Sequence, residues 1–381
     1  MSDIVIAGVG QTSVGEHWDL SLRELAHQAI QAALQDAGGI QPQALYVGNM
    51  LAPNMSRQAH LGALLADFSG LKGIEAASVE AGGASGGAAL RQGYLAVASG
   101  FVETALVVGV EKFTDQIGAD SEAALATATD SDFEAVHGLT PTAQAAMLMH
   151  RYMYEYDVPA GGFSGFAIGA HAHAVGNRFA MYQKAIKLEA YLNAEMVSDP
   201  LNMFDIAPMA DGAAALLLAR ADMLPPNFPH PLIRIAGSAS ASDTLALHDR
   251  QDLLWFQAAS LSANKALHQA GIQTRDLGLF EYFDSFSIFA ALSLEACGLA
   301  ERGHGWKMDP NGNHLPCATL GGLKARGHPG GATGVYQAVE AALQLRGTAD
   351  SNQVPAARYA LIQSLGGPAS TAVSHVLERL K

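Results

Sequence analysis

The second half of this 381-residue chain repeats the order of elements in its first half. Residues 4–10, IVIAGVG, form a short apolar run ending in glycine, the signal of a buried strand. Ser21 then precedes a stretch with Leu25, Ala29, Ala33 and Ala37 on one stripe, which predicts a helix stopping at Gly38-Gly39. Residues 45–49, LYVGN, read as the next strand. The series returns as the strand LIRIAG (232–237), the helix AASLSANKALHQAGI (258–272) ending at Gly271, and the strand GLFEYF (278–283). Leu34-Gln35-Asp36-Ala37-Gly38 lines up with Leu267-His268-Gln269-Ala270-Gly271. One such match is weak. Strand, helix, glycine stop and strand in the same order point to a duplicated α/β unit.

The middles of the halves correspond as well. Residues Gly82 to Gly87 open a small-residue helix, followed by the apolar strand TALVVGV (104–110). GHPGGATG (327–334) opens the helix VYQAVEAALQL, followed by the strand YALIQSLGG (359–367). Glycine-rich turns at helix starts gather backbone N–H groups and the positive end of a helix dipole. Two of them in duplicated halves predict one site at the pseudo-twofold. Residues 1–225 and 226–381 are read as the two halves, with the Pro-rich LPPNFPHP (224–231) at the boundary. The stretch from about 114 to 205 has no counterpart and reads as an insertion covering the site.

Apolar residues make up 49% of the chain and charged residues 15%. A soluble chain so poor in charge hides much of its surface in a large core, an oligomer interface, or both. Disorder as the main state is excluded. The 36 Asp+Glu outweigh 22 Lys+Arg, for a formal net charge of −14, and no basic run interrupts them. Nucleic acid is therefore a poor partner. An anionic ligand would need a local site of N–H groups and a few cations. Two cysteines, Cys297 and Cys317, exclude a disulfide framework and a Cys-rich zinc site. No apolar run reaches about 18 residues without charge, so no membrane span is expected. The start, MSDIVIAGVGQTSVG, lacks the features of a secretory signal. The expectation is a cytoplasmic, oligomeric α/β protein.

Seven motifs in order resemble the thiolase superfamily, in particular the archaeal and sterol-carrier type of acetyl-CoA acetyltransferase. They are VEAGGASGG (79–87), MLMHRYM (147–153), the AHAHA…NRFAM stretch (170–181), DPLNMFDIAPMADGAAA (199–215), FDSFS (283–287), GGLKARGHPGGATG (321–334) and SLGGPAS (364–370). The resemblance implies a five-layered αβαβα fold of two duplicated halves, and a homodimer. It implies a coenzyme A thioester as substrate, with no permanently bound cofactor. A small OB-fold/zinc-ribbon companion protein often accompanies the archaeal type. The family chemistry uses a cysteine at a helix N-terminus, which takes an acyl group, and a histidine in the GHP motif, which keeps it a thiolate. Oxyanion donors stabilise the tetrahedral intermediate and the enolate.

This sequence departs from that pattern at most chemical positions. Gly83 stands where the family string has its cysteine. Phe283 stands where the family has His or Asn before Asp-x-Phe. Ser364 stands where the C-terminal motif often has an acid–base cysteine. His328 is retained, and so are the backbone donors of Gly83 and Gly366. His150, beside Met147 and Met149, resembles a family position near the acyl pocket; without the resemblance it is a histidine on an apolar helix. Lys324 and Arg326 flank the GHP loop, where they would meet CoA phosphates or lie solvated. His171 and His173 lack a third ligand at useful spacing, so a metal is not expected. Asp205 and Asp211 fit turns better than catalysis. Cys297 and Cys317 fit best as small buried hydrophobes.

Two readings of different class follow. In the first, the chain handles acyl-CoA thioesters and breaks a C–C bond through a thioester enolate, by retro-aldol cleavage or decarboxylation, without a covalent step. Cysteine-free relatives that do retro-aldol chemistry rely on tyrosines, one of them in place of the GHP histidine. This chain keeps His328, and strand alternation turns its nearest phenol, Tyr282, to the face opposite Phe283. In the second reading, the chain is a non-catalytic subunit beside an active paralogue or a companion protein. A conserved pocket with His328 retained favours the first reading, and a closed or filled pocket the second. An active thiolase altered only at position 83 leaves Phe283 and Ser364 unexplained.

Overall fold

A computed structural model describes residues 3–116, 118–307 and 315–380. In the first half, β1 (Ile4–Gln11), α1 (Leu22–Asp36), β2 (Ala44–Gly48), the short α2 (Ala52–Met55) and α3 (Leu61–Phe68) come first. They are followed by β3 (Glu75–Val79), α4 (Ser85–Ser99) and β4 (Thr104–Glu111). Four helices then intervene: α5 (Ala119–Ala126), α6 (Pro141–Glu155), α7 (Ser164–Ala174) and α8 (Leu188–Leu192). The small hairpin β5 (Met196–Ser198) and β6 (Leu201–Asn202) precedes β7 (Gly212–Arg220). The second half runs β8 (Ile233–Ser242), α9 (Gln257–Ala270), β9 (Leu279–Glu281), α10 (Ser287–Ala296), α11 (Gly322–Arg326), α12 (Thr333–Arg346), β10 (Tyr359–Gly366) and β11 (Thr371–Arg379).

The strand order is β3-β2-β4-β7-β1-β8-β11-β10-β9. Five strands of the first half and four of the second are mirrored about a single join, the pairing of Val5 with Arg234. A parallel bridge of Phe280 to Cys317 sits where the fifth strand of the second half would be. Helices α4 and α12 each touch strands of both halves and form the shared inner layer. Helix α1 covers the first half from outside and α9 the second. The architecture is the expected duplicated α/β thiolase-like arrangement.

The symmetry is carried by particular residues. Ser21 starts α1 by donating from its N–H to the Glu24 carboxylate at 2.8 Å, the reciprocal half of a capping box. At the other end the Gly39 N–H reaches back to the Leu34 carbonyl at 2.9 Å. In α9 the Ile272 N–H does the same to Leu267 at 3.2 Å, past Gly271 at φ +69°. Both helices thus close with the same six-to-one bond. They also pack equally close on their strands: a Cβ on Gly8 would run into the Ala33 carbonyl, and one on Gly237 into the Ala266 carbonyl.

Strand β9 is shorter than the predicted 278–283 run. The Gln337 amide donates to the carbonyls of Glu281 (3.2 Å) and Tyr282 (2.7 Å), and the Leu323 N–H donates to Asp284 at 2.8 Å. These bonds replace the ladder, and the chain leaves the sheet after Glu281.

Candidate functional site

The glycine-rich turns meet as the sequence suggests. A Cβ on Gly86 would stand 2.8 Å from the Gly331 carbonyl oxygen and 3.0 Å from Gly334 N, so α4 and α12 cross with only backbone between them. Gly83, just before α4, and His328, just before α12, open onto one cavity of about 140 Å³. Phe283, Leu365, Gly367 and Pro368 complete its floor, with Met50 and Met209 beside them. Phe286 and Phe289 extend the apolar wall. The opposite side comes from the 114–205 stretch: Glu122 and Leu125 of α5, Ala128, Thr129, and Pro141, Thr142 and Gln144 of α6. Helix α6 begins there because Thr140 caps it, its Oγ1 accepting from the Ala143 N–H at 3.2 Å, and Pro141 follows at the first turn.

His328 is buried, and burial together with the nearby Arg326 guanidinium pushes its pKa down to about 3. The imidazole is therefore neutral at neutral pH. Its Nδ1 lies 2.8 Å from Thr333 Oγ1. The Thr333 hydroxyl has no other acceptor among the described residues, so the tautomer that satisfies it has Thr333 donating to Nδ1 and the proton on Nε2. The ring meets Phe283 edge-on, centroids 5.2 Å apart at 90°.

Gly83 has no room for a side chain. A Cβ there would stand 2.7 Å from Phe283 Cζ and 2.7 Å from the Leu365 carbonyl oxygen. Gly366 lies at the same corner, its Cα 3.3 Å from the Cβ position of Gly82.

Four residues singled out in the sequence lie elsewhere. Ser364 points from β10 into the α4–α12 crossing, where its hydroxyl donates to Gln337 Oε1 at 2.9 Å. Alternation along the strand turns Leu365, not Ser364, to the cavity. Lys324 is not a loop cation: it sits on α11, 3% exposed, and its Nζ donates to the Asp205 carbonyl at 2.7 Å. Burial lowers its pKa to about 8, and its buried ammonium faces the Asp205 carbonyl and lines no part of the cavity. Met149 is buried in the core beside Tyr152. His150 is exposed on a separate groove with Arg151, Tyr154 and Asp199. Both lie further along α6 than the turn that reaches the cavity.

The remaining candidates are structural. Asp211 accepts from Lys112 Nζ (2.8 Å) and from the N–H groups of Phe113 (2.6 Å) and Thr114 (2.8 Å), which hold its carboxyl below the usual range. Asp205 accepts from the Tyr191 hydroxyl at 2.7 Å. His171 and His173, on α7, take the carbonyls of Lys184 and Ala318. Arg326 pairs with Glu340 at 3.2 Å inside the protein. Tyr282 packs against Phe166 and Phe280, away from the cavity. Cys297 and Cys317 are buried and line no part of the cavity; burial pushes Cys297 up to about 12 and Cys317 well above its ordinary value.

Sequence reasoning missed Gln144, Glu122, Phe286 and Phe289. Phe286 and Phe289 sit three apart around the start of α10, a helical spacing that could have placed them on one face. Gln144 carries no such signal.

Known proteins resemble the chain over its length. The thiolase N-terminal domain model matches residues 4–222, and the thiolase C-terminal domain-like model residues 239–379. An acetyl-CoA acetyltransferase of Methanothermobacter thermautotrophicus is 40% identical, with 100% of each chain covered. A steroid side-chain-cleaving aldolase of Thermomonospora curvata is 27% identical over 88% of each. A solved structure described as an Ltp2-ChsH2(DUF35) aldolase superposes with a TM-score of 0.84 at 26% identity, covering 99% of this chain and 98% of the other. With both halves matched in order and the duplicated fold in place, this protein belongs to the thiolase superfamily.

Proposed function

We propose that this protein binds acyl-CoA thioesters and cleaves a C–C bond through a thioester enolate, with no acyl-enzyme, and that its reaction is retro-aldol cleavage of a β-hydroxyacyl-CoA. The observation that carries this reading is the corner formed by Gly83, Phe283 and His328. A thiol has no space there, yet the cavity is open and keeps a neutral imidazole.

The chemistry runs as follows. The β-hydroxyl proton passes to Glu122, the carboxylate among the cavity-lining residues. The electrons of that O–H bond form a carbonyl, the Cα–Cβ bond breaks, and its electrons move onto the thioester oxygen. His328 Nε2–H donates to that oxyanion; a neutral imidazole does so without losing its proton. Protonation of the α-carbon by Glu122 then releases the shortened thioester and an aldehyde or ketone. The aldolase named among the solved relatives supports this direction of chemistry.

That relative is described together with a DUF35 protein, which supports a small companion protein for this chain too. Strand β3, at the end of the sheet and largely exposed, supports a dimer that covers the edge. A non-catalytic role is disfavoured by the open cavity.

Calorimetry with CoA and acetyl-CoA, followed by intact mass spectrometry, tests the reading. Binding without a covalent adduct, and release of a carbonyl product from β-hydroxyacyl-CoA, is the expected result. An acyl adduct on the protein would overturn it. Release of carbon dioxide from a β-carboxyacyl-CoA, with no cleavage of the hydroxy substrate, would replace retro-aldol cleavage with decarboxylation.

A further inference from the structure

Gln144 is 1% exposed and lines the cavity, and among the described residues neither its Oε1 nor its Nε2 has a hydrogen-bond partner. Buried amides are almost always paired, because an unpaired one forfeits its bonds to water. The adjoining wall is apolar, built from Leu125, Phe283, Phe286 and Phe289. An orphan amide on such a wall is poorly placed for stability and well placed for a ligand.

An amide offers one donor and one acceptor side by side. A hydroxyl complements both, accepting from Nε2–H and donating to Oε1, whereas a ketone meets only the donor and a methylene neither. Phe286 and Phe289 set the character of the rest: the same cavity offers an apolar wall beside the amide.

We infer that Gln144 selects the substrate: it binds the β-hydroxyl of an acyl-CoA whose acyl chain carries an apolar group held by Phe286 and Phe289. This deepens the retro-aldol reading and rests on it. In the resting complex the hydroxyl bridges the two amide atoms. For reaction the hydroxyl turns its proton from Oε1 to Glu122, the Oε1 bond breaks, and the Nε2–H stays on the oxygen that becomes the carbonyl.

The test compares 3-hydroxy-3-phenylpropanoyl-CoA with 3-phenylpropanoyl-CoA by calorimetry, on the intact protein and on Gln144→Met, with CoA alone as a control of folding. The intact protein is expected to bind the hydroxy thioester at least about fivefold more tightly, the span of one unmet buried hydrogen bond. Gln144→Met is expected to abolish that preference, to leave CoA binding unchanged, and to raise Tm because an orphan amide has gone. Equal binding of the two thioesters by the intact protein would overturn the inference while leaving the thioester reading intact. A preference that survives in Gln144→Met would overturn it as well. A preference without turnover would sink retro-aldol cleavage and, with it, the role of Gln144 in selecting that reaction's substrate. No binding of either thioester would sink both.

Discussion

A Cβ on Gly83 would stand 2.7 Å from Cζ of Phe283, so the aromatic ring occupies the space that a side chain at position 83 would need. The two residues are one feature. The Leu365 carbonyl oxygen, also 2.7 Å from that point, closes the other side.

Gly83→Ala is therefore expected to destabilise the protein by about 1–3 kcal/mol, as overpacking does. Phe283→Ala should relieve part of this in the double variant, because the ring goes and the carbonyl stays. Urea unfolding of the four proteins in the cycle checks it, with a coupling of about 0.5–3 kcal/mol expected for groups in contact. Gly83→Cys should gain no acetyl mass on incubation with acetyl-CoA.

His328 makes stability depend on pH. Its folded pKa of about 3 lies below the ordinary value of about 6.5. Between these values the unfolded chain holds a proton that the folded chain does not. The contribution is complete above about 6.5 and is lost as pH falls towards 3. His328→Gln should lose roughly 2 kcal/mol less than the parent between pH 7 and pH 5. His375, lowered by burial to about 4, gives a slope of the same sign and stays in both proteins. Identical slopes would contradict the neutral buried imidazole.

Thr333 is a positioning residue for His328 through its 2.8 Å bond to Nδ1. Thr333→Val should lower kcat about tenfold with KM little changed, since a misplaced donor weakens the transition state more than the ground state. Thr333→Ser keeps the hydroxyl and should restore most of the rate. A fall in stability alone, with kcat intact, would reduce the bond to a packing contact.

Neither cysteine should behave as a reactive thiol. Cys297 is 2% and Cys317 3% exposed, and burial holds both in the protonated form. Titration with a chromogenic disulfide at pH 8 should find no fast thiol in the native protein and both after unfolding.

The duplicated frame was readable because its signals are local. Glycine stops, apolar runs and helix-opening turns each act within a few residues, and their repetition supplied the check. Gly83, Phe283 and His328 were readable through motif position, and they do meet. Lys324 was misread because a lysine beside a glycine-rich turn suggests solvent, whereas its partner is the carbonyl of Asp205, over a hundred residues away. Ser364 was misread against strand alternation, which assigns the cavity to its neighbour Leu365. Gln144 was invisible because its meaning lies in the lack of a partner, which only packing can reveal.

The crossing of α4 and α12 through Gly86 and Gly334 ties the two halves into one unit. Helix α4 packs on strands of the second half and α12 on strands of the first, so each half takes part of its interior wall from the other. The crossing admits no added atom, whereas the residues that line the cavity beside it include large side chains. The frame is fixed at one contact, and the side chains that could change a reaction sit beside it.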